Sequence, residues 1–265
     1  MSETNPPMRF SIVTPSFNQG RYLAETGRSI LAQTGVDLEW LVIDGASTDG
    51  TLDYLRSVTD LRLRWISEKD DGQSHAINKG FATAGGDVVA WLNTDDLYTP
   101  GALAAVAGAF AGNPAAQWLV GRCENIDASG AVIRSAVARY KDRSLRRYSY
   151  RALLRENFIA QPAVFWRRDF GRSVEALDES LHYTMDYDLW LRMGREAEPL
   201  VLDRVLARFR LHPSSKSGRV NREQFDEQYR VACRYVGADR VSRWVHRFNV
   251  EKIVWAYRTM RLLGL

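Results

Sequence analysis

Two adjacent carboxylates, Asp95 and Asp96, close a run that reads Val88-Val89-Ala90-Trp91-Leu92-Asn93-Thr94-Asp95-Asp96. Like charges side by side repel unless a cation or hydrogen-bond donors compensate them. A hard divalent ion, Mg²⁺ or Mn²⁺, is the simplest compensation, since it takes oxygen ligands and carries substrate phosphates. The bland alternative is a solvated Asp-Asp turn ahead of a helix starting near Pro100, because Asp is common in turns. The run before the pair is densely apolar and lies between Gly85-Gly86 and Pro100, the pattern of a buried strand. The carboxylates therefore fall at the carboxyl edge of a sheet, where open α/β sheets bind ligands.

Three more polar clusters follow strand-like segments. They are Thr14-Pro15-Ser16-Phe17-Asn18, then Asp44-Gly45-Ala46-Ser47-Thr48-Asp49-Gly50-Thr51, then Asp70-Asp71-Gly72-Gln73-Ser74 with Ala76-Ile77-Asn78-Lys79-Gly80. Each is weak alone, because Gly, Ser and Asp are loop formers. Their recurrence after consecutive strands places carboxylates, hydroxyls and amides around one crevice. Carboxylates suit ribose hydroxyls and base N–H groups, and Lys79 offers a point charge for a phosphate.

The elements that must position these clusters alternate. Strands are predicted over 10–14, 40–43, 63–66 and 88–92, and helices over 21–33, 50–58 and 73–84, with another helix opening at Thr99-Pro100. Such alternation implies βαβ units and a mostly parallel sheet. After Asn113 the pattern changes. Strands over 117–126 and 131–135 flank the turn Asp127-Ala128-Ser129-Gly130. A basic helix is predicted over 143–156, a strand over 163–166, a helix over 186–195, and one or two strands over 200–211. No repeat or low-complexity linker interrupts the chain.

Composition sets the bounds. The 265 residues are 45% hydrophobic and 26% charged, ordinary for a globular chain with a full core. No apolar stretch approaches the ~20 residues that cross a bilayer, and residues 1–7 lack a signal-peptide core. Cys123 and Cys233 have no metal-ligand spacing, so free thiols in a reducing cytosol are expected. The net charge is +4, yet residues 240–265 hold six basic residues and one acidic one, so the rest carries −1. A general nucleic-acid binder is excluded, because the basicity sits in one terminal segment.

In order and spacing, these clusters resemble family 2 glycosyltransferases, the inverting family with the GT-A fold. The matching segments are 13–18, 44–51, 71–73 with 76–80, and 93–96, joined by Met185-Asp186-Tyr187-Asp188-Leu189-Trp190-Leu191-Arg192. The resemblance implies a Rossmann-like, mostly parallel central sheet with helices on both faces. A nucleotide-sugar half over 8–113 and an acceptor half over 114–217 would form one domain, followed by C-terminal helices over 218–265. It implies that Thr14, Pro15, Ser16, Asn18, Asp44 and Ser47 line the donor pocket and that Asp71 contacts the base. Gln73, Lys79 and Asn93 would belong to the same donor site. Asp95 would lie nearer the ribose, and Asp96 would hold Mn²⁺ or Mg²⁺ on the diphosphate. Asp186 matches the base, although Met185 stands where the family has an acid and Asp188 remains a competitor. Arg208 to Ser217 resembles the Arg-X-His-X-X-Ser segment of many members, which makes His212 a candidate metal ligand and Arg210 and Lys216 candidate phosphate partners. Gln161 could bond a sugar hydroxyl and Trp190 could stack on a sugar face, with core packing the alternative for the tryptophan.

A single base is also what the chemistry requires. Inverting transfer needs one carboxylate to take the acceptor proton, while a metal and cations neutralise the leaving diphosphate. The expected partners are a UDP-sugar, with GDP- and dTDP-sugars as alternatives, and a saccharide or lipid-linked saccharide. The rivals are a sugar-phosphate nucleotidyltransferase, whose Gly-rich triphosphate loop is missing from Pro15 to Gly20, and a non-catalytic nucleotide-sugar-binding subunit. In the C-terminal segment Val241, Trp244, Val245 and Phe248 recur at helical spacing among arginines. That face fits an anionic membrane surface, packing on the domain, or a homodimer. The expected location is cytoplasmic, peripheral to the membrane if the face is docked there.

Overall fold

The computed structural model describes residues 7–174, 176–213, 215 and 222–262, the last seven of these as backbone only. The first half alternates as expected: β1 (Arg9–Ser16), α1 (Gly20–Leu31), β2 (Asp37–Asp44), α2 (Thr51–Ser57), β3 (Leu63–Ser67), α3 (Gln73–Thr83) and β4 (Val88–Trp91). β5 (Leu97–Tyr98), α4 (Ala102–Gly112), β6 (Trp118–Ile126), β7 (Val132–Ile133), α5 (Ser135–Leu145) and α6 (Tyr150–Arg155) follow. The chain then forms β8 (Val164–Arg167), α7 (Arg168–Ser173), α8 (Met185–Glu196), β9 (Leu200–Arg210), α9 (Arg222–Tyr235) and α10 (Arg240–Leu262).

One sheet runs in the order β3-β2-β1-β4-β8-β6-β9-β5, with β7 beside β6. β3, β2, β1 and β4 are parallel, and β8 is antiparallel to β4. The chain order therefore reverses at β1, with β2 on one side and β4 on the other. Such a switch leaves a crevice at the carboxyl ends of the two strands, where no crossover helix covers them.

Side chains alternate across the sheet, and the alternation sorts the core. Phe10, Ile12, Trp40, Val42, Val88 and Ala90 pack with Leu23 and Ile30 of α1 and Leu103, Val106 and Phe110 of α4. Val13, Leu41, Ile43, Val89 and Trp91 face the other way, onto Ala76 and Ile77 of α3, Leu189 and Met193 of α8, and Val231 of α9. Helices thus cover both faces, and α9 shares the core of the sheet.

Two local readings change, and one strand was not read. The helix expected over 143–156 is two helices, because Ser149 is extended and its side chain accepts the Ala152 N–H at 3.1 Å, restarting the helix as α6. The strand expected over 131–135 shrinks to β7, and α5 starts at Ser135. β5 is too short for its alternation to be read. Along 200–211 the chain forms a single strand, with a register irregularity against β6 at Gly121 to Cys123.

The seat of α3 on β1 is close. A Cβ at Gly80 would collide with the Val13 side chain. Gly80→Val is expected to cost about 1–3 kcal/mol through overpacking, read as a lower Tm in thermal denaturation; an unchanged Tm would mean that α3 is free to shift.

Candidate active site

A cavity of ≈ 1020 Å³ opens over the crevice. Pro15 and Ser16 at the end of β1, Trp91, Asn93 and Asp95 at the end of β4, and Asp71, Gly72 and Gln73 at the start of α3 form its first wall. Tyr140 and Lys141 of α5, Gln161, and Met185 and Asp186 of α8 form the second. Gln224, Phe225 and Gln228 of α9 and Ile253 of α10 complete it. The hydroxyl of Ser16 is buried without a hydrogen-bond partner among the described residues, so a ligand hydroxyl or phosphate oxygen could satisfy it.

The two aspartates at the end of β4 part company. Asp95 lines the cavity, and its Oδ2 lies 2.9 Å from His212 Nε2. Asp96 is fully buried behind the wall. Its Oδ1 accepts the Arg210 N–H at 2.9 Å and its Oδ2 accepts from Asn93 Nδ2 at 3.3 Å. Burial, and then the neighbouring Asp95 charge, push the Asp96 carboxyl well above its usual range. Asp96, expected to hold the metal, is therefore turned away from the cavity, and Asp95 is the carboxylate of the pair that lines it. Among the described residues there is no group of three His, Cys, Asp or Glu side chains fit for a metal. One carboxylate and one imidazole nevertheless suit Mn²⁺ or Mg²⁺, which commonly take few protein ligands and complete their shell with phosphate oxygens and water.

Several expected donor residues build the loops under the cavity instead of lining it. Asp44, fully buried, accepts Ser47 N–H at 2.9 Å and Ser67 Oγ–H at 2.6 Å. Ser47 Oγ in turn accepts the Asn18 N–H at 2.8 Å, and Asn18 Oδ1 accepts the Thr48 N–H at 2.8 Å. Asn18 takes a left-handed φ of 51° and Ala46 one of 62°, conformations that persist only where such bonds over-determine them. Thr14 is sealed in the core, accepting from Trp40 Nε1 at 2.9 Å. Lys79 faces away, in an ion pair with Glu68 at 2.7 Å. Phe17 and Asp70, which the sequence placed in the crevice clusters without a role, and Lys69, which it overlooked, lie on the same wall, with Phe17 62% exposed.

On the acceptor wall Gln161 donates to the Trp91 carbonyl at 2.7 Å and accepts from Asn93 Nδ2 at 3.0 Å. Gln73 Nε2 donates to Asn93 Oδ1 at 2.9 Å. These three amides brace one another, which leaves Gln161 little capacity for a sugar. Trp190 is fully buried and stacks 6.2 Å from both Trp91 and Trp118, so it is a core residue and not a sugar platform. Arg210 is likewise buried in protein contacts, and Lys216 lies outside the described residues.

The two candidate bases differ as sharply. Asp188 is buried, paired with Arg192 at 2.9 Å and accepting Tyr235 O–H at 2.6 Å. Asp186 is half-buried on the cavity wall, two residues earlier in the same helix. Burial pushes its carboxyl up to about 6, against the opposing Tyr187 N–H at 2.7 Å and the charge of Lys141. The loop before it is held by Glu227 of α9, whose carboxylate accepts the N–H groups of His182, Tyr183 and Thr184 and the Thr184 hydroxyl at 2.8–3.2 Å. Burial pushes Glu227 up, but those donors outweigh it and hold the carboxyl below its usual range.

A mostly parallel sheet with helices on both faces and a crevice at its switch point has the architecture of the GT-A fold. The solved structures agree on the fold. TarS of S. aureus in complex with UDP-GlcNAc has a TM-score of 0.69 and 18% identity over 88% of this chain and 68% of its own. The mannosyltransferase PcManGT from Pyrobaculum calidifontis, in complex with GDP-Man and Mn²⁺, has a TM-score of 0.67 and 18% identity over 87% and 65%. Residues 11–170 match the family model described as Glycosyl transferase family 2, and the chain belongs to that family. An uncharacterized glycosyltransferase of Nostoc sp. is 35% identical over 106 residues, 39% of this chain. The O-antigen biosynthesis protein RfbC of Myxococcus xanthus is 33% identical over 202 residues, 72% of this chain. The chain spans 33% of the length of the first relative and 15% of the second.

Replacing Glu227 by Gln leaves buried N–H groups poorly matched, at an expected cost of about 1–3 kcal/mol. A lower Tm at pH 7 checks this. The deficit should shrink in acid, because the native Glu227 loses its advantage once its carboxylate is protonated.

Proposed function

We propose that the chain is an inverting, metal-dependent glycosyltransferase that moves a sugar from a nucleotide-sugar to a hydroxyl of a saccharide or lipid-linked saccharide. The observation that carries this reading is the placement of Asp186 and Asp95 on the wall of one cavity, the first with a carboxyl raised to about 6. A base poised near neutrality takes a hydroxyl proton most effectively.

The roles follow from the walls. Ser16, Asp70 and Asp71 suit the nucleoside and its ribose, since carboxylates and a free hydroxyl match N–H and O–H groups. Asp95 and His212 hold the Mn²⁺ or Mg²⁺, which when bound supplies charge neutralisation for the departing diphosphate. Asp186 takes the proton of the acceptor hydroxyl as that oxygen bonds to C1 from the opposite face. The C1–O bond to the diphosphate breaks, and its electron pair leaves with the nucleotide. Inversion needs no second protein acid, which is consistent with Asp188 being engaged in an ion pair. A UDP-sugar is the favoured donor, with GDP- and dTDP-sugars as alternatives. UDP-GlcNAc and GDP-Man in the neighbouring structures support the donor class.

Asp186→Asn is expected to lower turnover roughly 10²–10⁴-fold while sparing donor affinity. Wild-type kcat/KM should fall as pH drops through about 6, the pKa of the folded carboxyl. The stability sign is the reverse of the activity. The unfolded carboxyl titrates near 3.8, so its charge opposes folding above pH 6 and not below pH 4. Asp186→Asn should therefore raise Tm at pH 8 and leave it unchanged at pH 4. An active Asp186→Asn enzyme would remove Asp186 from the base role.

Transfer from UDP-, GDP- and dTDP-sugars, with Mn²⁺ and with EDTA, tests the metal. Asp95→Ala and His212→Ala should abolish the Mn²⁺-dependent thermal shift produced by nucleotide. Full activity in EDTA, or an intact shift in both variants, would sink the assignment.

A further inference from the structure

α10 carries its large apolar side chains on the wrong side for a core helix. Ser242, His246, Val250 and Val254 face the domain and are buried. His246 Nδ1 lies 2.9 Å from the Leu154 carbonyl, and Asn249 Nδ2 donates to that of Arg155 at 3.2 Å. Val241, Trp244, Phe248 and Trp255 point outward, at 58%, 68%, 56% and 69% exposure. Val241, Phe248 and Trp255 are seven residues apart with Trp244 between them, so they form one stripe. Trp244 and Phe248 stack with their ring centroids 5.8 Å apart, making a continuous aromatic ledge. Arg240 and Arg243 are exposed along its edge.

We infer that this outward face of α10 docks on an anionic lipid bilayer. Aromatic rings bordered by arginines suit the boundary between headgroups and acyl chains. Charge selects lipid over a second copy of the chain. Arg240 and Arg243 put exposed positive charge at the edge of this face, in a segment, 240–265, that holds six basic residues and one acidic one, so two copies would repel while anionic headgroups compensate them. Among the described residues no helix is long and apolar enough to cross a membrane, so the helix lies on the surface. The same helix lends Ile253 to the cavity wall, and Lys252 Nζ sits 5.9 Å from the ring centroid of Tyr140, which also lines it. Docking thus brings the cavity beside the headgroups; the use made of that position, transfer to a lipid-linked acceptor, rests on the function proposed above.

Flotation of the full chain with phosphatidylcholine vesicles, with and without phosphatidylglycerol, tests the inference. The protein should float only with the anionic vesicles, and high salt should release it. Trp244→Ser with Phe248→Ser should abolish flotation with an unchanged Tm, since both side chains are exposed. Arg240→Glu with Arg243→Glu should weaken binding by about tenfold or more. Nucleotide release from donor sugar, measured in solution without vesicles, should be the same in all variants. Failure of that reaction in the wild type would count against the enzyme reading and leave the flotation result standing. The docking inference is overturned if the wild type stays unbound at low salt or if the serine variant floats as well. It is also overturned if light scattering finds a wild-type dimer that the serine variant converts to monomers, which would assign the face to a second copy.

Discussion

The structure turns on a buried carboxylate, Asp96, and the strand end that compensates it. Asp96 ends the turn between β4 and β5, and the N–H of Arg210 at the end of β9 donates to it at 2.9 Å. The Arg210 side chain continues the clamp: Nε donates to the Asp95 carbonyl at 2.8 Å, Nη1 to the carbonyls of Asp127 and Ala128, and Nη2 pairs with Glu25 at 2.6 Å. Thr26 adds hydroxyl bonds to the carbonyls of Thr94 and Asp96. An uncompensated buried carboxylate would be prohibitive, so the turn after β4 can close only with β9 and α1 in place. That closure aims Asp95 into the cavity and brings His212, two residues beyond Arg210, against it.

A second constraint explains why the cavity belongs to the whole chain. The end of β4 is braced by the amides of Gln73, Asn93 and Gln161, drawn from both halves of the sheet. The start of α8, where Asp186 sits, is held by Glu227 of α9. The two C-terminal helices therefore act as structural members of the site: α9 caps the loop ahead of the proposed base, and α10 adds to a wall. Val241, Trp244 and Phe248 of α10 are left exposed outside that wall.

A buried Trp cluster shows how packing overrides chemical suggestion. Trp190 follows the acidic pair on α8 and has the right type for a sugar platform, but helical geometry turns it inward between Trp91 and Trp118. The same periodicity separates Asp186 from Asp188 by about 200°, sending one to the cavity and the other to Arg192 and Tyr235. A small change in position along a helix thus divides a carboxyl on the cavity wall from one held in an ion pair.

The sequence by itself determined the alternation of strands and helices through β4, the crevice at the carboxyl edge, the family resemblance, and the grouping of Pro15, Ser16, Asp71, Gln73, Asn93, Asp95 and Asp186. These are legible because strand periodicity and loop composition are local properties. Tertiary structure alone decided which polar residues reach the cavity. Thr14, Asn18, Asp44 and Ser47 have the same chemistry as their neighbours but meet partners 26 to 30 residues away or across one turn, which buries Thr14, Asp44 and Ser47 and ties the exposed Asn18 to the neighbouring loop. The order of Asp95 and Asp96 was equally undecidable, because it depends on an N–H that arrives 114 residues later. The outward face of α10 followed the same logic: its periodicity was readable, but which stripe met the core depended on what α6 and α9 could accept.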